Sequence, residues 1–66
     1  MAEPVLLDDV EVKAVTEKAL LVEYEEEEYW IPLSQVELEE TEVKFDRGAR
    51  GTLAITKWIA KEKGLD

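Results

Sequence analysis

The amino-acid sequence predicts a mainly β domain: a small five-stranded sheet that curls on itself, with one short C-terminal helix. Three observations carry this expectation. Two apolar runs, Ala19–Tyr24 and Tyr29–Leu33, flank four consecutive glutamates. Within them Leu20, Val22 and Tyr24, then Tyr29, Ile31 and Leu33, alternate with the period of two that marks half-buried strands. The stretch Ala19-Leu20-Leu21-Val22 is apolar without a break, which suits a strand covered on both faces in a closing sheet. After Thr56 the period changes, and Trp58 and Ile59 oppose Lys57, Lys61, Glu62 and Lys63 as two faces of a helix.

Taken in order, residues 1–8 read as a poorly ordered lead-in, with Val5–Leu7 tucking a side chain or two against the core. Val10, Val12 and Ala14 alternate with Glu11 and Lys13, giving a first strand over Val10–Thr16. Thr16-Glu17-Lys18 is a short polar break, so the first two strands are antiparallel neighbours. Glu25, Glu26, Glu27 and Glu28 cannot be buried together and are expected in water at the tip of the next hairpin. Pro32 lacks a ladder N–H, which places it at an edge, a bulge or a strand end. One turn of 3₁₀ helix fits Ser34-Gln35, and a helix over Val36–Glu40 is too short to stand without tertiary support.

Leu38 is the inward-pointing residue expected of the acidic stretch Glu37–Glu42. Val43 and Phe45 then suggest a fourth strand, Asp46–Gly51 a loop with two glycines free to take positive φ, and Thr52–Ile55 a short fifth strand. Thr56 is a good N-cap for a helix over Thr56–Lys63, which Gly64 can close while Leu65 folds back on the last turn. Five short strands and one helix fit a partly open barrel of SH3-like or oligonucleotide-binding-like (OB-like) size, or a flat sheet with the helix laid across it.

A 66-residue chain forms one small domain, and a core of that size rarely yields more than roughly 3–5 kcal/mol of net stability. The absence of cysteine and histidine excludes disulfide staples and the usual zinc ligand sets. The start, MAEPVLLDD, has neither the basic opening nor the apolar core of a signal peptide, and no apolar run approaches a membrane span. A soluble, cytoplasmic protein is expected.

The net charge of −9 is unevenly placed. Residues 1–42 hold fourteen acidic and two basic side chains, whereas residues 43–66 hold six basic and three acidic ones. Solvated faces that keep a small protein soluble are one reading. An acidic surface aimed at a basic partner is another, and a small basic surface aimed at an anion is a third.

Catalysis is not expected. Ser34 is the sole serine, there is no histidine to serve a hydroxyl as base, and an exposed glutamate run offers no pocket to split carboxylate pKa values. The run also lacks the glycine and the spaced oxygen ligands of a calcium loop, so no metal or cofactor is expected. By alternation Trp30 takes the face opposite Tyr29 and Ile31. It is a core residue if the sheet closes and a contact surface if the sheet is open, with Trp58 capping the core. The segment Arg47–Gly51, RGARG, with Lys44 and Lys57 nearby, can form a small cationic patch.

The segments Lys18-Ala19-Leu20-Leu21-Val22, Trp30-Ile31-Pro32 with Ser34-Gln35, and Trp58-Ile59-Ala60 with Lys63-Gly64-Leu65 resemble a family of small proteins carried by bacteriophages and mobile elements. The resemblance covers about residues 13–66 and implies no activity; it implies a genetic context of replication, recombination or host takeover. Leu33 departs from the pattern where a lysine is expected, making that surface more apolar.

Two functional expectations follow. The first is a non-enzymatic interaction module that binds a basic protein surface as a DNA mimic would. It would act through Glu23, Glu25, Glu26, Glu27, Glu28, Glu37, Glu39, Glu40 and Glu42, with Trp30 as an apolar anchor. The second is a small barrel that binds single-stranded nucleic acid or a nucleotide. There Tyr24, Tyr29 or Trp30 would stack bases while Lys44, Arg47, Arg50 and Lys57 meet phosphates. A homodimer or small closed oligomer is also expected, built from an edge strand or the Trp30 face, with Val43–Phe45 and Gly51–Ile55 as the least protected edges.

Overall fold

In the computed structural model, which describes residues 3–65, four strands form one open antiparallel sheet in the order β3-β2-β1-β4. They are β1 (Val5–Val15), β2 (Ala19–Tyr24), β3 (Glu27–Pro32) and β4 (Arg50–Ile55). A 3₁₀ turn, Leu33–Gln35, follows β3, and one helix, α1 (Lys57–Glu62), follows β4. The mainly β class and the terminal helix agree with the expectation. The strand count differs by one.

β1 is longer than the alternation suggested. Residues 5–8, expected in a poorly ordered lead-in, pair with β4: Val5 faces Ile55, Leu6 faces Ala54 and Leu7 faces Leu53. Leu7 and Leu53 are both fully buried, so this half of β1 is held by core packing. Met1 and Ala2 lie outside the described residues. Two irregularities let one strand serve both neighbours. The register shifts between Leu7 and Val10 against β4, where Asp9 takes φ 58°, and between Val12 and Ala14 against β2. Each extra residue bends and coils the strand.

The two hairpins close by different chemistry. Between β1 and β2 the Thr16 hydroxyl accepts from the Lys18 and Ala19 N–H groups at 3.3 and 3.0 Å. Between β2 and β3 only Glu25 and Glu26 form the turn, with φ of 51° and 70°. Positive φ at both central residues defines the type I′ turn, whose twist matches that of its strands. Glu27 and Glu28 consequently belong to β3, and all four glutamates are exposed as expected.

Residues 36–49 do not form the fourth strand expected around Val43 and Phe45. Residues 36–43 run irregularly along the outer edge of β4, and the chain then crosses to β1, where the Val12 N–H donates to the Ala49 carbonyl at 2.8 Å and the Gly48 N–H to the Val12 carbonyl at 2.7 Å. Val36 bridges to Ile55, the Glu37 N–H donates to the Ala54 carbonyl at 2.8 Å, and the Glu42 and Val43 N–H groups both donate to the Thr52 carbonyl. The Thr41 hydroxyl donates to the Glu37 carbonyl at 2.8 Å and accepts from the Ala54 N–H at 3.0 Å, taking the place of a ladder bond. The segment lies so close that a β-carbon at Gly51 would meet Val43 Cα at 3.1 Å. This approach sets Val43 in the core without a regular register. Gly51–Ile55 is therefore a covered edge and not the exposed one predicted. Val36–Glu40 makes turns and no helix, and Leu38 is 67% exposed, pointing outward against expectation.

One face of the sheet carries the core: Leu7, Val10, Val12, Leu20, Val22, Ile31, Leu53 and Ile55, covered by Val36, Val43, Ile59 and Ala60. α1 docks through Ile59 and Ala60, whereas Trp58 is 61% exposed and does not cap the core. The Thr56 hydroxyl accepts from the Ile59 N–H at 3.3 Å and donates to Gln35 Oε1 at 2.7 Å, tying the helix start to the 3₁₀ turn. At the other end Gly64 takes φ 73°. The Leu65 N–H reaches the Ala60 carbonyl and the Gly64 N–H reaches Lys61, which together make a Schellman motif.

Candidate functional site

The opposite, outer face of the sheet is open, and two rows of side chains cross its middle. Glu28 of β3, Glu23 of β2, Glu11 of β1 and Arg50 of β4 stand opposite one another across all four strands. Beside them run Trp30, Leu21 and Ala14. The first row sets three carboxylates on adjacent strands, an arrangement that repels unless it is compensated. Compensation comes from Lys13, the extra residue at the β1–β2 irregularity. Its Nζ lies 3.0 Å from Glu23 and 3.4 Å from Glu11, while Arg50 Nη1 lies 3.2 Å from Glu11. Hydrogen bonding to Glu23, and then to Glu11, raises the Lys13 pKa above its ordinary value. Glu28 has no ion-pair partner among the described residues.

At the hairpin end the sheet forms a shallow hollow lined by Asp8, Asp9, Glu11, Glu23, Tyr24, Glu25, Glu26 and Arg50. Six carboxylates and one guanidinium make it strongly acidic. Arg50 Nε donates to Asp9 Oδ1 at 3.3 Å, and this bond heads the influences that raise the Arg50 pKa. The turn at the rim is costly. A residue with a β-carbon pays about 1 kcal/mol or more in the left-handed region, and Glu25 and Glu26 both sit there, where Asn-Gly would be comfortable. Non-glycine residues in strained turns cluster at functional sites.

The expected acidic set divides between two places. Glu23, Glu25, Glu26, Glu27 and Glu28 gather on the β2–β3 hairpin. Glu37, Glu39, Glu40 and Glu42 lie on the segment that covers β4, at the far edge of the sheet. Three strand spacings, about 14 Å, separate β3 from β4, so the two groups form two surfaces and not one face. Asp8, Asp9 and Glu11 join the hairpin group and were missed from sequence. Their signal was the Asp8-Asp9 doublet, which interrupts the alternation of β1 between Leu7 and Val10.

The expected cationic and aromatic set does not form one site: Arg50 and Tyr24 share the acidic hollow, and the other cations lie elsewhere. Arg50 lies in β4 and is taken by Asp9 and Glu11. Lys57 begins α1, beyond the opposite end of β4, and Arg47 borders a separate hollow with Lys13, Val15 and Phe45. Lys44 is exposed on the irregular segment. Tyr24 and Tyr29 are partly buried against the core, and the Tyr29 hydroxyl donates to Glu27 Oε2 at 2.7 Å, which raises its pKa. Trp30 is 47% exposed on the outer face.

Among the described residues no cluster of acidic side chains is arranged to hold a metal ion, and no helix is long and apolar enough to cross a membrane. The chain matches no protein-family model, no curated protein and no solved structure.

Proposed function

We propose that this protein is a non-enzymatic interaction module of bacteriophage or mobile-element origin, whose acidic hairpin end binds a basic surface on a macromolecular partner. The observation that carries the reading is the turn itself. Two glutamates occupy left-handed positions that penalise them, at the rim of a hollow whose lining is already acidic. Folding gains nothing from that choice, and a cationic ligand would. The partner's lysines and arginines would meet Glu25, Glu26 and Glu23 in water-accessible geometry. Recognition of this kind is fast, long-ranged and sensitive to salt, because the Debye length falls to about 10 Å at 0.1 M.

The test is a double substitution, Glu25→Asn with Glu26→Gly, which installs the preferred turn. Unfolding in urea should show stabilisation of about 1 kcal/mol, because strain is relieved. Binding to a fluorescent lysine-rich peptide at low salt should fall at least tenfold, roughly 1.4 kcal/mol. Unchanged peptide affinity in the stabilised variant would refute the reading. An anisotropy response to a single-stranded oligonucleotide, with none to the basic peptide, would replace it by nucleic-acid binding.

A further inference from the structure

We infer that β3 is a docking edge that captures an extended cationic segment as a fifth, antiparallel strand, a proposal that rests on the acidic-partner reading and specifies its geometry. In a hairpin with a two-residue turn, the residues flanking the turn exchange both backbone bonds, and every second pair thereafter does the same. Here those pairs are Tyr24 with Glu27, Val22 with Tyr29 and Leu20 with Ile31. Glu28 and Trp30 therefore direct their N–H and C=O groups away from β2. β3 ends the sheet, and among the described residues no other segment pairs with that side. At the opposite edge residues 36–43 perform this covering task for β4. Pro32, which has no N–H, stops the open ladder after Trp30.

The rows on the outer face dictate what an added strand must carry. The charged row ends on Glu28, the member without an ion-pair partner, so the next position in that row calls for lysine or arginine. The apolar row ends on half-exposed Trp30, so the neighbouring position calls for an apolar side chain. Antiparallel pairing gives a segment that reads apolar, any residue, basic, any residue, basic, with the last residue reaching the glutamate turn. A second copy of β3 fits less well. Antiparallel pairing of two copies about Tyr29 sets Glu28 against the tryptophan of the second β3 and supplies no cation to the charged row.

The experiment uses the full chain and a capped peptide reading valine-threonine-lysine-threonine-lysine, titrated to about 1 mM and followed by amide NMR. The peptide should shift the Glu28 and Trp30 amides and protect them from exchange. N-methylation of the valine and the first lysine removes the two donors aimed at Trp30 and Glu28, and should weaken binding at least tenfold. N-methylation of the two threonines, whose N–H groups face away, should leave affinity within about threefold. Glu28→Gln should weaken the parent peptide about threefold while leaving the circular dichroism unchanged. Equal affinity of the two methylated peptides overturns strand addition while leaving the acidic reading standing. Loss on methylation, with no effect of Glu28→Gln or of the turn substitutions, overturns the acidic reading and keeps strand addition. No binding at 1 mM overturns the proposal. So does protection of the Glu28 and Trp30 amides in the protein alone with a dimer mass in sedimentation, which would assign the edge to a second copy.

Discussion

The two edges of this sheet are built on opposite plans. Along β4 the chain returns on itself. Thr41 and the backbone of residues 37, 42 and 43 satisfy outward-facing groups of Thr52 and Ala54. Along β3 no described segment returns, and protection comes from charge at Glu27 and Glu28 and a proline at position 32. A small sheet cannot leave edges untreated without inviting association. The difference shows which treatment belongs to folding and which leaves a surface available: the covered edge shares buried Val36 and Val43 with the core, whereas the open edge exposes Trp30.

The strongest way to break the comparison is through the core beneath the covered edge. Ile55 is fully buried, faces Val5 and bridges to Val36. Ile55→Ala should cost about 2–5 kcal/mol, enough to unfold much of a domain this small, whereas Trp30→Ala at the open edge should cost under about 1 kcal/mol. Urea midpoints measure both, and equal losses would mean that the edges are not energetically distinct.

Gly51→Ala probes the close approach directly. The new methyl would sit 3.1–3.3 Å from Val43 backbone and side-chain atoms, so the segment must move outward. The expected cost is about 1–3 kcal/mol, accompanied by faster amide exchange at Glu42 and Val43 and little change in β2 and β3. A neutral result would show that the covering segment yields freely.

Thr41→Val keeps the shape and removes the hydroxyl that serves the Ala54 N–H and the Glu37 carbonyl. Because the site is only partly buried, a loss of about 1 kcal/mol is expected, with the Ala54 amide becoming the most affected in hydrogen exchange. Retained protection of that amide would mean that the segment is held without Thr41.

The smallest effect belongs to the outer face and appears at high pH. The Lys13 pKa is raised above 10.5, first by its hydrogen bond to Glu23 and then by Glu11; the Tyr29 pKa is raised above 10.0, first by its bond to Glu27. In both cases the folded protein holds the proton more tightly than the unfolded chain. Each contribution is therefore complete below the ordinary value and is lost as pH rises through the raised one. Stability should be flat across neutral pH and slope downward in strong alkali. Lys13→Met with Tyr29→Phe should flatten that slope, and an unchanged slope in the double variant would remove these groups as its source.

Much of this molecule was decided locally and could be read from residues alone. Alternation in β2 and β3 marked their buried faces, because a period of two puts every second side chain on one side of a sheet. Thr56 and Gly64 marked the helix ends, because N-cap hydroxyls and left-handed glycines satisfy groups within one turn. Four adjacent glutamates had to remain in water. Other features depended on partners distant in sequence. Val5–Asp8 became strand only because β4 lies beside them. Val43 became a buried loop residue because Gly51 lets that backbone approach. The acidic candidates were separated because Glu37–Glu42 follow β4 while Glu25–Glu28 sit beyond β2. The row from Arg50 to Glu28 exists only through strand order, since cross-strand neighbours have no fixed spacing along the chain. Sequence periodicity determines which face a side chain takes; only the pairing of strands determines which side chains share that face, and which edge remains open.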